Sequence, residues 1–174
     1  MMNSVLRTTV AVAMTCAAMS LPALAQETTN RVAAETDWSV FVENSPKECW
    51  GVSAPKTTVN TKDGKPVQVR RGDILLFVTF RPGKQPEVSF MGGYPFAGGS
   101  TVDMTVGSNT FKLFTDGEGA WAGSPDEDKK IIAALKAGAD VKLTAHSARG
   151  TQTQDTFSLM GFTAAMGEAE SRCK

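Results

Sequence analysis

Ile74-Leu75-Leu76-Phe77-Val78-Thr79-Phe80 is the stretch on which the fold turns. It is apolar on both of its alternating faces, so it predicts a central strand covered on each side rather than an edge with one wet face. Arg81-Pro82-Gly83 ends it. A central strand needs neighbours, and the chain supplies candidates in both directions. Upstream, Trp38, Val40 and Val42 alternate with Ser39, Phe41 and Glu43, the two-residue period of a strand with one buried face. Residues 49–59 continue in extended form, and Lys62-Asp63-Gly64-Lys65 reads as a hairpin turn flanked by strands. Downstream, strands are expected over 87–91, 101–106 and 110–115, with Gly107-Ser108-Asn109 turning between the last two.

The period changes at Ser124. Ser-Pro-Asp-Glu supplies an N-cap, a proline at the first helical position and a glutamate at the third. Ile131, Ile132 and Leu135 give the helix one apolar stripe, Asp126 and Asp128 suit the positive end of its dipole, and Gly138 is placed to end it in a left-handed cap. Strands over 140–146 and 151–159 follow, turning at 147–150. Phe162, Ala165, Met166, Ala169 and Cys173 then recur at spacings of three and four, a helical face that ends in a cysteine. Met160 and Met166 read as adaptable core filler. The expected fold is mainly β: a β-sandwich or partly open barrel of about seven to eight strands with two capping helices, α+β being the alternative.

The first 25 residues set the compartment. Arg7 supplies a positive n-region, residues 10–21 are an apolar and small-residue run, and Ala23-Leu24-Ala25 before Gln26 is a small-x-small cleavage site. Thr15, Ser20 and Pro22 interrupt the run, against a spanning helix. Cys16 follows Thr15 inside it, against a lipoprotein signal. The domain plan is thus a signal peptide over 1–25, a polar arm without periodicity over 26–35 and one domain over 36–174. The destination is the periplasm, the outer-membrane surface or the exterior. Cys16 leaves with the signal, so the mature chain keeps Cys49 and Cys173. In an oxidising compartment such a pair reads as one disulfide, tying the start of the domain to its last helix. A metal would want further ligands, and the chain has one histidine, His146.

Removing Arg7 leaves 17 basic against 18 acidic side chains. That balance implies no nucleic-acid partner. Lys62, Lys65, Arg70, Arg71, Arg81 and Lys84 do cluster, interspersed with Asp63 and Asp73, which suits a solvated hairpin edge and, as the alternative, an anion site.

Two catalytic constellations can be drawn and neither fits its residues. His146 and Ser147 are neighbours on a predicted strand, so they point to opposite faces, and no Gly-x-Ser-x-Gly elbow accompanies them; Asp140 or Asp155 would be the orienting acid. Asp126, Glu127 and Asp128 fall in a first helical turn, where the helix dipole already accounts for them. Two features suit binding. Arg71-Gly72-Asp73 is the tripeptide used by integrin ligands, but Asp73 runs straight into the apolar strand, which gives the glycine a turn role. The loop Gly92-Gly93-Tyr94-Pro95-Phe96-Ala97-Gly98-Gly99 mounts two aromatics between strands. On such loops aromatics anchor partners, or else they fold inward and pin the loop to the core. Tyr94 and Phe96, with Arg70 and Arg71, are the candidate partner-binding residues. No metal site and no cofactor are expected.

In order along the chain, Trp38-Ser39-Val40-Phe41-Val42, Lys47-Glu48-Cys49-Trp50, Val69-Arg70-Arg71-Gly72-Asp73, Phe90-Met91-Gly92-Gly93-Tyr94-Pro95-Phe96, Leu113-Phe114-Thr115-Asp116-Gly117 and Asp155-Thr156-Phe157-Ser158-Leu159-Met160-Gly161-Phe162 with the terminal Cys173 resemble the invasion-associated locus B family. The resemblance covers nearly the whole mature chain. It implies a secreted or envelope-associated bacterial protein, linked in some relatives to entry into host cells, with no established catalytic residues and no cofactor. The expected function is therefore a non-catalytic interaction module acting on an envelope or host protein partner. A periplasmic hydrolase with an unrecognised site and a structural envelope component are the alternatives.

Overall fold

The structure is a computed structural model that describes residues 30–174. The expected signal peptide and the first residues of the expected arm lie outside the described residues. The elements run in the order β1 (Arg31–Glu35), β2 (Trp38–Asn44), β3 (Lys47–Ser53), β4 (Thr57–Lys62), β5 (Lys65–Pro66), β6 (Leu75–Phe80), β7 (Glu87–Met91), β8 (Thr101–Val106), β9 (Asn109–Asp116), β10 (Gly119–Trp121), α1 (Pro125–Ala137), β11 (Asp140–His146), β12 (Gln152–Ser158) and α2 (Phe162–Arg172).

The strands form one antiparallel 12-stranded sheet, ordered β1-β2-β3-β6-β7-β10-β9-β8-β11-β12-β4-β5, with β1 and β5 as open edges. β6 sits inside it, paired with β3 and β7, as its two-sided apolar pattern requires. The sheet curls back on itself at the short connection from β3 to β4. There the Trp38 indole N–H donates to Ser158 O (3.0 Å), Ser53 Oγ donates to Asp37 O (2.7 Å) and the Lys56 amide donates to Thr156 O (2.7 Å). Inward residues of the two layers meet in one core, where Phe90 of β7 and Phe157 of β12 contact edge to face at 6.1 Å. The class is the sandwich-like one expected, with more strands. Two of the extra ones, β1 and β10, are short pairing partners without apolar alternation; β1 occupies residues assigned to an unstructured arm, and the strand expected after the Asp63-Gly64 turn is the two-residue β5.

The helices close the core. α1 begins as its capping signals predict: Ser124 Oγ accepts from the Glu127 amide, and Glu127 Oε2 accepts from the Gly123 amide. Its end differs from expectation. Gly138 is extended (φ −89°, ψ 164°), not left-handed, and it is small because a Cβ there would come within 3.0 Å of Leu159 Cδ1 and closer still to Val106. α2 lays Phe162, Ala165, Met166 and Ala169 on the core, with the Phe162 ring edge-on to Trp38 at 4.9 Å. Met166 fills the space left by Gly51, whereas Met160, expected in the core, is exposed. Cys173 follows α2 and is bridged to Cys49 of β3, with the Cα atoms 5.7 Å apart.

Candidate functional site

Three segments far apart in sequence converge at one end of the sheet: the crossover over residues 67–74 between β5 and β6, the loop over residues 92–100 between β7 and β8, and the turn over residues 147–151 between β11 and β12. Arg71 is the group that joins them. Its guanidinium makes a bidentate pair with Asp155 (Nη1–Oδ1 2.7 Å, Nη2–Oδ2 2.6 Å). The same side chain donates to Gly92 O from Nε and Nη2 (3.0 and 2.8 Å) and to Asn60 Oδ1 (3.4 Å). Arg71 and Asp155 expose 5 % and 0 % of their side chains, so the pair is fully desolvated and anchored by further hydrogen bonds. The Gly72 amide donates to Gly93 O (2.8 Å), which clasps crossover to loop.

Tyr94 lies over this pair, its ring centroid 4.9 Å from the Arg71 guanidinium carbon. Its hydroxyl hydrogen-bonds Thr153 Oγ1 at 2.6 Å. Burial raises the phenol above its ordinary pKa of 10.0, against the opposing pull of the Thr153 hydrogen bond and the Arg71 charge. Phe96 packs edge to face on Tyr94 (5.1 Å), is 6 % exposed and belongs to the core beside Phe90.

Above these groups is a groove of about 500 Å³, lined by Arg70, Arg71, Tyr94, Glu118, Arg149 and Thr153 among others. Arg70 and Arg149 are exposed, and neither makes an ion pair among the described residues. Of the four residues expected to meet a partner, the structure brings Arg70, Arg71 and Tyr94 to one groove, with the Arg71 side chain and Phe96 buried. Arg71 and Phe96 face inward, because a guanidinium opposite a buried carboxylate and a ring beside Phe90 gain more there than in water. The same burial agrees with the turn reading of the Arg71-Gly72-Asp73 tripeptide: its arginine is not on display.

The groove and its floor also use Asp155 and Arg149, which the sequence reading had not placed there. Asp155 follows Thr153 and precedes Phe157 on the inward phase of β12, and an acid in that phase requires a cation. That signal was present. Arg149, in a polar turn, carried none.

The other constellations are not assembled. His146 is exposed, while Ser147 is buried and its Oγ accepts from the amides of Arg149 and Thr151. Asp155 is held by Arg71, and Asp140 lies at the far end of β11 from His146. In α1, Glu127 caps Gly123, Asp126 pairs with Lys129 (3.4 Å), and Asp128 turns inward to accept from the Val88 amide (2.8 Å). No group of three or more His, Cys, Asp or Glu side chains among the described residues is arranged to hold a metal ion.

With this geometry in hand, the similarities to known proteins are informative. The fold is similar to the crystal structure of invasion associated protein B from Bartonella henselae, with a TM-score of 0.55 and 16 % identity over 79 % of this chain and 94 % of that one. No curated protein matches the chain. The family model described as invasion associated locus B (IalB) protein matches residues 38–170, which include Cys49, the Arg71 crossover and the Tyr94 loop. The chain belongs to the invasion associated locus B (IalB) family.

Proposed function

We propose that this protein is an exported, non-catalytic interaction module of the bacterial envelope, acting in contact with host cells, and that the groove between Arg70 and Arg149 is where it meets an acidic partner. One observation carries the reading: two exposed guanidiniums without carboxylate partners flank a half-buried tyrosine, on a floor made rigid by a buried ion pair. Rigid scaffolds that present arginine and tyrosine are what interfaces use as anchors. The family's name and the Bartonella neighbour support the host-contact setting. The Cys49–Cys173 bridge suits an oxidising compartment, and no described helix is long and apolar enough to cross a membrane. The test is binding of the purified disulfide-bonded protein to host cells, read by flow cytometry. Arg70→Ala with Arg149→Ala is expected to lower binding by about tenfold or more, with thermal stability unchanged. Undiminished binding of a folded double variant overturns the assignment of the groove.

A further inference from the structure

The outward face of the sheet carries a second surface, independent of the Arg70–Arg149 groove. Across it, strand register places Val52, Phe77, Ser89, Trp121 and Phe114 in one row over β3, β6, β7, β10 and β9. Trp50 and Phe41 adjoin that row, their rings stacked 5.7 Å apart and within 8° of parallel. Met91, Phe114 and Trp121 are 40 %, 58 % and 38 % exposed. Large apolar side chains collected on one face are unusual on a protein surface that meets only water.

Two of the rings occupy space that glycines leave open. The six-membered ring of Trp121 reaches over Gly119, so that a Cβ on that glycine would come within 2.9 Å of Cζ2 and Cζ3; Phe114 reaches in the same way over Gly123, 2.7 Å from Cε2 to such a Cβ. Trp50, Phe77, Met91 and Trp121 border a shallow, mainly apolar trough of about 330 Å³ that Ser89 and Thr79 also line. At its end Arg81 is paired with Glu48 and with Glu87. Three strand spacings across the sheet and two residues along it separate Trp50 from Trp121, about 16 Å.

The chemistry of this trough selects its occupant. An added peptide strand needs an unpaired edge, whereas β3, β6, β7 and β10 each have a neighbour on both sides. An amphipathic helix needs a long continuous apolar groove, and this trough holds only about 330 Å³ and ends at the charges of Glu48, Arg81 and Glu87. An anionic bilayer needs a basic rim, and this rim holds two carboxylates against one guanidinium. What remains complementary is a ligand with flat apolar C–H faces and a fringe of hydroxyls that both donate and accept. We propose that the trough binds a neutral glycan chain, its sugar rings stacked on Trp50 and Trp121 and its hydroxyls met by Glu48, Arg81, Glu87 and Ser89.

The disulfide-bonded protein should be titrated, by calorimetry and tryptophan fluorescence, with neutral hexasaccharides (β-1,4-glucan, α-1,4-glucan, β-1,4-N-acetylglucosamine, α-mannan) and with heparin and hyaluronan fragments. At least one neutral chain is expected to bind. Trp121→Ala is expected to weaken that binding about tenfold or more, Trp121→Phe to restore most of it, and Arg70→Ala with Arg149→Ala to leave it unchanged. Trp121 is exposed on a short strand, so its replacement should leave unfolding untouched, which circular dichroism checks. The proposal is overturned by no binding to any neutral chain, by binding of the anionic fragments alone, by affinity indifferent to Trp121→Ala, or by a dimer in light scattering that Trp121→Ala dissolves.

Discussion

At the scale of single residues, the Arg71–Asp155 pair decides most. Both charges are withdrawn from water, and each is held by hydrogen bonds that only the other's geometry completes. Arg71→Met is expected to lower stability by about 3–5 kcal/mol in urea denaturation, since it leaves Asp155 buried and unpaired. Arg71→Lys is expected to recover little, because an ammonium cannot span the two carboxylate oxygens and Gly92 O together. Arg70→Ala, one position away on the exposed side, should stay within about 0.5 kcal/mol of the parent. Asp128 offers a test with a sign. Burial raises its carboxyl above the ordinary value of 3.8, Glu87 and Glu127 add to that, and the Val88 amide opposes it. The folded state therefore holds the proton more tightly than the unfolded chain. Its contribution to stability is complete below the unfolded pKa and is lost as pH rises through the raised folded value. Asp128→Asn keeps an acceptor for the Val88 amide and no longer titrates. Its stability relative to the parent should improve between about pH 4 and pH 7; a relative decline over that range would contradict a raised pKa. Period alone could have found Asp155, as an acid on the inward phase of a strand. It could not have found Asp128, whose place in a first helical turn gave it a sufficient role at the dipole.

At the scale of elements, the loop over residues 92–100 is fixed by backbone as much as by side chains. Gly93 has φ 71°, and a Cβ there would stand 2.7–2.9 Å from the oxygen, carbon and nitrogen of Gly72. Gly93→Ala must therefore break the clasp and strain the backbone, at a cost of about 1–3 kcal/mol. Hydrogen exchange should show amides of residues 92–99 and 67–74 losing protection together, while those of β7 keep theirs. Loss confined to one segment would mean that the clasp does not couple them. The elements most legible in sequence were those that bury one regular face: β2, β6, α2 and the start of α1. Those less legible bury almost nothing of their own. β5, the strand expected after the Asp63-Gly64 turn, is only Lys65–Pro66, exposed throughout, and it exists because that turn returns the chain to β4. β10 is three residues long and is recruited by β7 and β9, which lie either side of it. Gly138 was misread because a glycine after a helix has two uses, and crowding by Val106 and Leu159, invisible in sequence, selected the second.

At the scale of the whole molecule, composition and period gave the class of fold but not the order of its strands, because order depends on pairings such as β12 with β4 that no local pattern encodes. The bridge between Cys49 and Cys173 is the one long-range contact that the sequence did disclose, since the expected loss of Cys16 with a signal peptide leaves two cysteines with only each other to pair with. It closes a separation of 124 residues, and restricting the unfolded chain to that extent is worth about 5 kcal/mol in the chain-entropy model. For a domain of this size, loss of the bridge should lower the melting temperature by about 10–20 °C. It should not release α2. The Phe162 ring against Trp38 and the Met166 side chain in the space beside Gly51 seat that helix over β2 and β3 independently of the sulfurs. The double variant Cys49→Ser with Cys173→Ser is therefore expected to melt in a single transition, with near-ultraviolet dichroism from Trp38 and far-ultraviolet dichroism falling together. An early loss of the near-ultraviolet signal alone would mean that the helix peels away first and that the bridge, not the packing, is what holds it to the sheet.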